Sequence, residues 1–285
     1  MDFNYNVDSS WYDGVYQDTK APIKAGRPFS LIRKDGKADT AVLCIHGYMG
    51  YPGELVRPAR DLYELGYDIY VPRLPGHGTT GDDFLHTTAR DWTMVSLNAA
   101  RDLVKRYKNV YVVGHSMGGA LATVVAAEVP EVKRLVLAAP ALALEAKQLP
   151  TPPMSLKLIS IFRKRLKNKW ESNPEYVMYY ENAPSDDQYL GSEYWSWIYP
   201  KQLCSLFKLM IFAGSKELGK IKCPTLVICA MKDQILGTAT CDLAMDKLAS
   251  DKKLVQLENG THYLFYDKSK KDEEVAVNAT VEFLR

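Results

Sequence analysis

The sequence predicts an α/β fold with a mostly parallel central sheet flanked by helices, and two observations carry this prediction. Short apolar runs such as 41–45 and 224–230 are apolar at nearly every position. Runs of that kind are typical of strands buried on both faces of a parallel sheet. Strand-like and helix-like stretches also alternate four times before residue 140. Such alternation favours a parallel sheet with crossover helices.

Composition sets the broad limits. The chain has 285 residues, 47% hydrophobic and 25% charged, with a formal net charge of +2. It is long enough for one large domain with a smaller insertion, and the small net charge predicts no nucleic-acid partner. No stretch approaches the ~20 apolar residues of a transmembrane helix, and the first residues lack the pattern of a signal peptide.

The five cysteines show no CxxC pair and no spacing typical of metal ligands. They are Cys44, Cys204, Cys223, Cys229 and Cys241. Isolated thiols of this kind fit a reducing compartment, so the sequence predicts a cytoplasmic protein. We also expect no metal and no cofactor, since the Gly76–Gly78 turn is too short and too far from a helix start to hold a pyrophosphate.

The elements follow in order along the chain. Residues 1–20 are interpreted as an N-terminal arm, and Asp91 is a candidate helix cap. Apolar residues at helical spacing predict helices after about residue 54, around 95–103 and around 275–283. The predicted strands are 28–33, 41–45, 68–72, 110–114, 134–139, 224–230 and 254–257.

The alternation stops between about 140 and 221, where the chain is rich in aromatic residues. We therefore predict a core domain in 1–140 and 221–285 and a helical cap in 141–220. Many of the rings would form the cap's own core. Others, with Trp195 and Trp197 as candidates, would line a pocket for an apolar ligand group. Residues 157–169 hold six basic residues and no acidic one. This predicts a basic amphipathic helix, either solvated or in weak contact with a membrane surface.

A Gly-x-Ser-x-Gly motif lies between a strand-like run and a helix-like run, at Gly114-His115-Ser116-Met117-Gly118. A serine that projects above the end of a sheet requires a strained turn with closely approaching backbone. Positions two before and two after it can then carry no side chain. Ser116 is therefore the candidate nucleophile.

A serine hydroxyl needs an adjacent base, and the base needs a carboxylate to orient it. His262 follows the last predicted strand and is the candidate base, whereas His115 is expected to point away along its strand. Asp233 ends a strand and is the candidate acid, with Glu258 and Asp251 as alternatives. The chain order serine, aspartate, histidine is the order of α/β-hydrolases.

The oxyanion of the transition state needs two backbone donors already in place. The N–H of Met117, at the start of the predicted helix, is one candidate. The other should come from the loop after the 41–45 strand, and the N–H of Tyr48 is the candidate.

Several motifs together resemble the monoacylglycerol lipase and carboxylesterase branch of the α/β-hydrolases. They are His46-Gly47-Tyr48-Met49-Gly50, Pro75-Gly76-His77-Gly78, Leu85-His86-Thr87 with Asp91-Trp92, the segment 114–119, Asp233 and Gly260-Thr261-His262. The resemblance implies that the residue after His-Gly and the residue after the serine supply the oxyanion donors, which agrees with Tyr48 and Met117. It extends from Leu43 to Arg285, except that the insertion has its own pattern.

The sequence thus predicts a serine esterase or lipase that acts on a small-molecule ester with an apolar acyl group. An acyltransferase, a thioesterase or a peptidase could use the same three residues. A ligand-binding protein that has kept the fold without activity is the third hypothesis. The oligomeric state stays open.

Overall fold

A computed structural model describes residues 21–33, 38–143, 153–173 and 184–285. Its main feature is a seven-stranded sheet with the order β1-β3-β2-β4-β5-β8-β9. The strands are β1 (Phe29–Leu31), β2 (Thr40–Ile45), β3 (Asp68–Val71), β4 (Asn109–His115), β5 (Val132–Ala138), β8 (Thr225–Ala230) and β9 (Lys252–Leu257), with β6 (Leu166–Lys167) and β7 (Trp197–Ile198) in a separate ribbon. Only β1 runs antiparallel to its neighbour in the main sheet.

In the described part of the chain, helices of the core flank this sheet and further helices lie between β5 and β8. They are α1 (Val56–Glu64), α2 (Gly81–Leu85), α3 (Ala89–Arg106), α4 (Met117–Glu128), α5 (Pro153–Phe162), α6 (Pro184–Leu190), α7 (Pro200–Phe212), α8 (Ala239–Lys247) and α9 (Lys270–Leu284). Short 3₁₀ turns occur at Lys24–Gly26, Pro52–Leu55 and Leu218–Lys220, and π-helical turns at Gly191–Trp195 and Ala213–Glu217. The α/β prediction is confirmed.

Burial explains why apolar runs in the sequence predicted the central strands. Every residue of β2 and of β8 is buried, because helices cover both faces of the sheet there. By contrast, most of β9 is exposed, since it forms one edge of the sheet. Its predicted span, 254–257, was accordingly two residues too short.

The register of the parallel strands gathers their carboxyl ends at one edge. Ile45 pairs with Gly114, and His115 pairs with Ala138. Toward the β9 edge of the sheet, Ala230 pairs with Leu257. The loops that follow β2, β4, β8 and β9 therefore lie on the same side, where open parallel sheets bind ligands.

The residues 153–173 and 184–220 lie between β5 and β8, and we call them the cap segment. They are mainly helical, apart from the two-residue pairing of β6 with β7. The basic helix predicted through residue 169 is wrong in its extent, because α5 ends at Phe162 and Leu166 begins β6. The interruption has a physical reason: Leu166 and Lys167 pair with Ile198 and Trp197.

One further prediction is corrected, and another is not tested. Asp91 does not itself precede a helix: Thr88 does, and the Asp91 carboxylate accepts hydrogen bonds from the Thr88 N–H and hydroxyl, each at 2.8 Å. The N-terminal arm at 1–20 lies outside the described residues. Within the described ranges, no helix combines the length and apolarity needed to cross a membrane.

Candidate active site

Ser116 occupies a sharp turn between β4 and α4. Its backbone has φ 55° and ψ −120°, in the left-handed half of conformational space that a side chain disfavours. The strain is sustained by close packing around the turn, since a Cβ on Gly114 or Gly118 would overlap the backbone of Gly118 or Ile45. The two glycines of the motif are thus required by the approach of neighbouring backbone, as predicted.

Three polar side chains from separate loops meet at this turn. The Nε2 atom of His262 lies 2.8 Å from the Oγ atom of Ser116. Its Nδ1 atom lies 2.7 Å from the Oδ2 atom of Asp233. A carboxylate only accepts hydrogen bonds, so the imidazole proton is on Nδ1 and Nε2 is left to accept the serine hydroxyl. The two alternative acids, Glu258 and Asp251, are exposed on the edge of the sheet.

The environment of Asp233 keeps its carboxylate ionised. Burial alone would raise the pKa of Asp233, but the charge and hydrogen bond of His262 and the N–H groups of Leu236 and Ile235 outweigh it. Both N–H groups donate to Oδ1 at 2.8 Å. The net effect lowers the pKa of Asp233 below its ordinary value.

The loop after β2 approaches the serine from the opposite side. A Cβ added to Gly47 would lie only 3.3 Å from the Cβ of Ser116. Tyr48 follows in this loop, and Met117 opens α4, where the first N–H groups of a helix have no acceptor within the helix. The structure thus brings the backbone of the loop that carries Tyr48 next to the serine.

A cavity of about 570 Å³ lies above these groups. Ser116 and His262 line its floor. Its other wall belongs to the cap segment and is largely apolar. The lining residues of that wall include Trp170, Trp195, Trp197, Leu206, Phe207 and Met210.

The two predicted cap residues both lie at the cavity, in different settings. The Trp195 ring packs against Trp170, with 5.3 Å between centroids. The Trp197 ring has the charged groups of Arg165 and Lys167 over it, each 4.4 Å from the centroid. Such cation–π contacts hold the Trp197 ring in place.

The comparisons with known proteins agree with this architecture. The family model Hydrolase_4, described as serine aminopeptidase, S33, matches residues 36–269. The chain belongs to this family. The sequence of this S33 chain is also 28% identical over 250 residues to a thermostable monoacylglycerol lipase of Bacillus sp. (strain H-257), covering 85% of this chain and 89% of the relative. It is 24% identical over 246 residues to a carboxylesterase of Bacillus subtilis (strain 168), covering 86% and 91%.

Solved structures show the same fold. A structure from work on LipS and LipT, two metagenome-derived lipolytic enzymes, has a TM-score of 0.76 at 24% identity and covers 94% of this chain and 99% of its own. The monoacylglycerol lipase of Paleococcus ferrophilus has a TM-score of 0.66 at 20% identity and covers 90% and 99%. The predicted α/β-hydrolase fold is confirmed.

Three polar residues around the site escaped the sequence analysis of this S33 chain. Gln234 accepts a hydrogen bond from the His262 N–H, at 3.3 Å, through its side-chain oxygen. His115 was expected to point away, yet its Nε2 donates to the His262 carbonyl at 2.8 Å. The buried Glu54 carboxylate accepts from the Gly47 N–H at 3.2 Å and lies 3.4 Å from Nδ1 of His115. No local pattern marks the contacts of Gln234 and His115, because they join residues more than twenty positions apart.

Among the described residues, no group of three or more histidine, cysteine, aspartate or glutamate side chains could hold a metal ion. The side chains of His46 and His77 hydrogen-bond to backbone groups of nearby loops. His46 accepts the Leu74 N–H at Nε2, so its proton is on Nδ1, which lies 2.9 Å from the Gly47 carbonyl. The Nδ1 of His77 donates to the Pro75 carbonyl at 3.0 Å.

Proposed function

We propose that this protein is a serine hydrolase that cleaves carboxylic ester bonds through an acyl-Ser116 intermediate. The observation that carries the proposal is the hydrogen-bonded series Ser116, His262, Asp233 on the floor of an apolar-walled cavity. The names of its relatives, a monoacylglycerol lipase and a carboxylesterase, support the same activity.

In the proposed mechanism each of these residues has one role. His262 takes the Ser116 proton at Nε2 while Oγ forms a bond to the ester carbonyl carbon. The displaced electron pair moves to the carbonyl oxygen, where the N–H groups of Tyr48 and Met117 stabilise it. The intermediate collapses as the alcohol leaves with the proton held by His262, and Ser116 keeps the acyl group. Water, deprotonated by His262, then attacks the acyl carbon and releases the acid and the free serine.

Asp233 acts through His262 in both halves of the reaction. It fixes the imidazole orientation and stabilises the imidazolium that forms at each proton transfer. Because its pKa is lowered, Asp233 remains an anion throughout the neutral range.

A peptidase is the second candidate, since the family description names a serine aminopeptidase. Such an enzyme must bind the ammonium group of its substrate, and a free carboxylate in the cavity would serve. The carboxylates that line the cavity among the described residues are Glu54 and Glu171. Glu54 is buried against Gly47, and Glu171 lies 77% exposed beside Lys169. Neither is placed as an ammonium site, which favours esters.

The decisive experiment compares p-nitrophenyl esters, a monoacylglycerol, an acyl thioester and an amino-acid p-nitroanilide on the wild type and on Ser116→Ala. We expect ester hydrolysis, and a fall in kcat of at least about 10⁴-fold for the folded variant. A fluorophosphonate probe should label the wild type only. Faster cleavage of the anilide than of the esters would make it a peptidase, and transfer to an alcohol in preference to water would make it an acyltransferase. Absence of turnover and labelling would make it a binding protein.

The proposal divides the chain into a core, 1–140 and 221–285, and a cap, 141–220. Each of them supplies one wall of the cavity. Catalytic groups come from the loops after the core strands. The apolar wall comes from the cap segment and would hold the acyl chain. A cytoplasmic location also remains a proposal, supported by the thiols of Cys44, Cys223, Cys229 and Cys241 and tested by fractionation of cells.

We further propose that the cap segment rests on an anionic lipid surface while the enzyme takes up its substrate. Leu158, Ile161 and Phe162 of α5 are 61%, 69% and 77% exposed. Lys157 and the basic residues 163–165 are exposed around them. Apolar side chains ringed by cations suit a membrane interface with acidic headgroups.

Sedimentation with vesicles tests this contact. We expect binding to phosphatidylcholine vesicles that contain phosphatidylglycerol and weaker binding to phosphatidylcholine alone. The double variant Ile161→Ser/Phe162→Ser should lose binding. Met94→Ser/Val275→Ser, which alters two exposed apolar residues of the core, is the matched control. Equal binding by both double variants would remove the lipid surface from the proposal.

A further inference from the structure

Consecutive residues of the cap segment bind backbone groups of core loops. The Glu193 carboxylate accepts the Gly81 N–H at 2.7 Å. The Tyr194 hydroxyl accepts the Thr79 N–H at 2.8 Å and is buried. These contacts fix the π-helical turn Gly191–Trp195 against the core, so the next residue in it is held at a defined height above the cavity floor.

That next residue, Trp195, reaches the loop after β2. Its indole Nε1–H donates to the Met49 carbonyl at 3.2 Å. The same peptide is held on its other side, where the Gly50 N–H donates to the Gly47 carbonyl at 3.2 Å. Hydrogen bonds on both sides clamp the Met49–Gly50 peptide. Tyr48 is the other central residue of this turn.

The clamp acts on a strained residue. Met49 has φ 55°, and it occupies the third position of a turn whose second residue has negative φ. That is the pattern of a type II turn, which normally has glycine or asparagine at the third position. A methionine there costs conformational energy and needs external contacts to persist. The hydrogen bond from Trp195 is such a contact.

We propose that Trp195 is a positioning residue for the oxyanion-stabilising loop: it holds the Met49 carbonyl and so keeps the Tyr48 N–H directed at the carbonyl oxygen of the substrate. The proposal rests on the proposed function, because it needs Tyr48 to donate to the oxyanion. It adds that the cap segment helps to position the loop after β2, besides forming the apolar wall of the cavity.

The surroundings of Trp195 make it a rigid support. Its ring packs on Trp170, and the Trp170 ring fills the space that a Cβ on Gly191 would occupy. Glycine at 191 therefore lets the two rings stack close to the π-helical turn. An indole held this firmly loses little further freedom when it donates its hydrogen bond.

The first test is Trp195→Phe, which removes the donor and retains a ring. With p-nitrophenyl acetate we expect kcat to fall about 3- to 10-fold, the value of one net hydrogen bond, with KM nearly unchanged. The inhibition constant of a trifluoromethyl ketone, whose hemiketal oxyanion mimics the transition state, should rise by the same factor. Tyr189→Phe is the matched control, because it removes a cap hydroxyl that donates to the Thr79 carbonyl and lies outside the cavity lining. Its kcat should match the wild type.

The second test is rescue. Adding Met49→Gly to Trp195→Phe should recover most of the lost kcat, since glycine adopts positive φ without cost. If Trp195→Phe does not fold, benzothienylalanine at position 195 replaces only the N–H by sulfur and serves in its place.

The outcomes separate this proposal from the proposed function. A fall in kcat with rescue supports the positioning role. A change in KM alone, no change, a loss equal to that of Tyr189→Phe, or failure of Met49→Gly to rescue would each overturn it. Ser116→Ala is measured alongside: if it stays active, the proposed function fails, whatever Trp195→Phe does.

Discussion

The two walls of the cavity are built by different means. On the core wall, Ser116 follows β4 and His262 lies in the loop after β9, and both strands are hydrogen-bonded to neighbouring strands of the main sheet. In the cap segment, Trp195 and Tyr194 are held by hydrogen bonds between their side chains and the backbone of core loops. The first arrangement suits groups that must keep fixed distances through bond making. The second suits a surface that selects among apolar groups.

The largest expected effect is a loss of kcat when Asp233, the acid on the core wall, is replaced. Asp233→Asn should lower kcat by about 10³- to 10⁴-fold with the fold intact, because asparagine leaves the imidazole in the wrong tautomer. Steady-state kinetics on a p-nitrophenyl ester measures it. Glu258→Gln, at the exposed end of β9, is the control and should change kcat little. If the two effects were reversed, Glu258 would be the acid.

Glycine substitutions compare the two walls in stability. In Gly118→Ala the new Cβ would meet the backbone carbonyl of Ile45, which cannot move without disturbing β2. We expect a loss of about 3 kcal/mol or more in the free energy of unfolding, above the usual range for overpacking. In Gly191→Ala the new atom meets the Trp170 side chain, which can rotate, so the loss should be about 1–2 kcal/mol.

Urea denaturation measures both glycine variants. Gly219→Ala is the control, because its nearest neighbour, the Lys247 carbonyl oxygen, would be 3.8 Å from the new Cβ. Its unfolding free energy should stay within about 0.5 kcal/mol of wild type. Equal losses for Gly118→Ala and Gly191→Ala would contradict the contrast between the walls.

Lowering the pH should reduce the free energy of unfolding through two buried histidines of the core, His46 and His77. Burial lowers the pKa of His77 to about 3, and burial followed by the charge of His77 lowers the pKa of His46. Between pH 3 and 6.5 the unfolded chain therefore binds a proton at His77 that the folded protein does not, and His46 acts in the same direction. The free energy of unfolding falls as the pH is lowered, and His77 alone contributes up to about 1.4 kcal/mol per pH unit, or about 2 kcal/mol from pH 6.5 to 5.

Denaturation curves at half-unit steps of pH from 7 to 5 check this slope. His77→Asn should reduce this slope by the contribution of one proton. The range stays above the ordinary pKa of an aspartate, so Asp233, with its lowered pKa, adds nothing to the slope. A wild-type slope of zero would contradict the assignment of buried neutral histidines.

The sequence predicted the core wall better than the cap wall, because the core wall depends on local patterns and the cap wall depends on contacts between distant residues. The strands and the turn at Ser116 depend on local patterns, namely buried apolar runs and two glycines at fixed spacing. Chain order then indicated Asp233 and His262, which the structure places within hydrogen-bond distance. Gln234 and the bond from Trp195 to Met49 depend on residues more than twenty positions apart, and no local pattern encodes them.

The cap also shows where periodicity misleads. Leu158, Phe162 and Leu166 recur at four-residue steps, as in an amphipathic helix. Pairing of Leu166 with Ile198 ends the helix before the stripe is complete. Leu158 and Phe162 remain in α5 with exposed side chains, whereas Leu156 of the same helix is buried.

The smallest expected effect is the dependence of kcat/KM on acyl-chain length, which we attribute to the cap wall. Each CH₂ group that the cap wall removes from water should contribute about 0.8 kcal/mol, or roughly a fourfold gain in kcat/KM. The gain should end when the cavity of about 570 Å³ is full, and we expect an optimum at short or medium acyl chains. Kinetics with esters from acetyl to palmitoyl measures this profile.

Two variants assign that profile to the cap. Trp197→Ala and Phe207→Ala remove side chains that line the cavity, so each should flatten the gain per CH₂ or move the optimum to longer chains, while kcat for acetyl esters changes little. Met94→Ala, at an exposed position on α3, is the control. If the profile were flat in the wild type and unchanged by both cap variants, the rings would pack only against one another. Selection of the acyl group would then belong to the core wall, and the cap would act on catalysis through its contact with the loop after β2 alone.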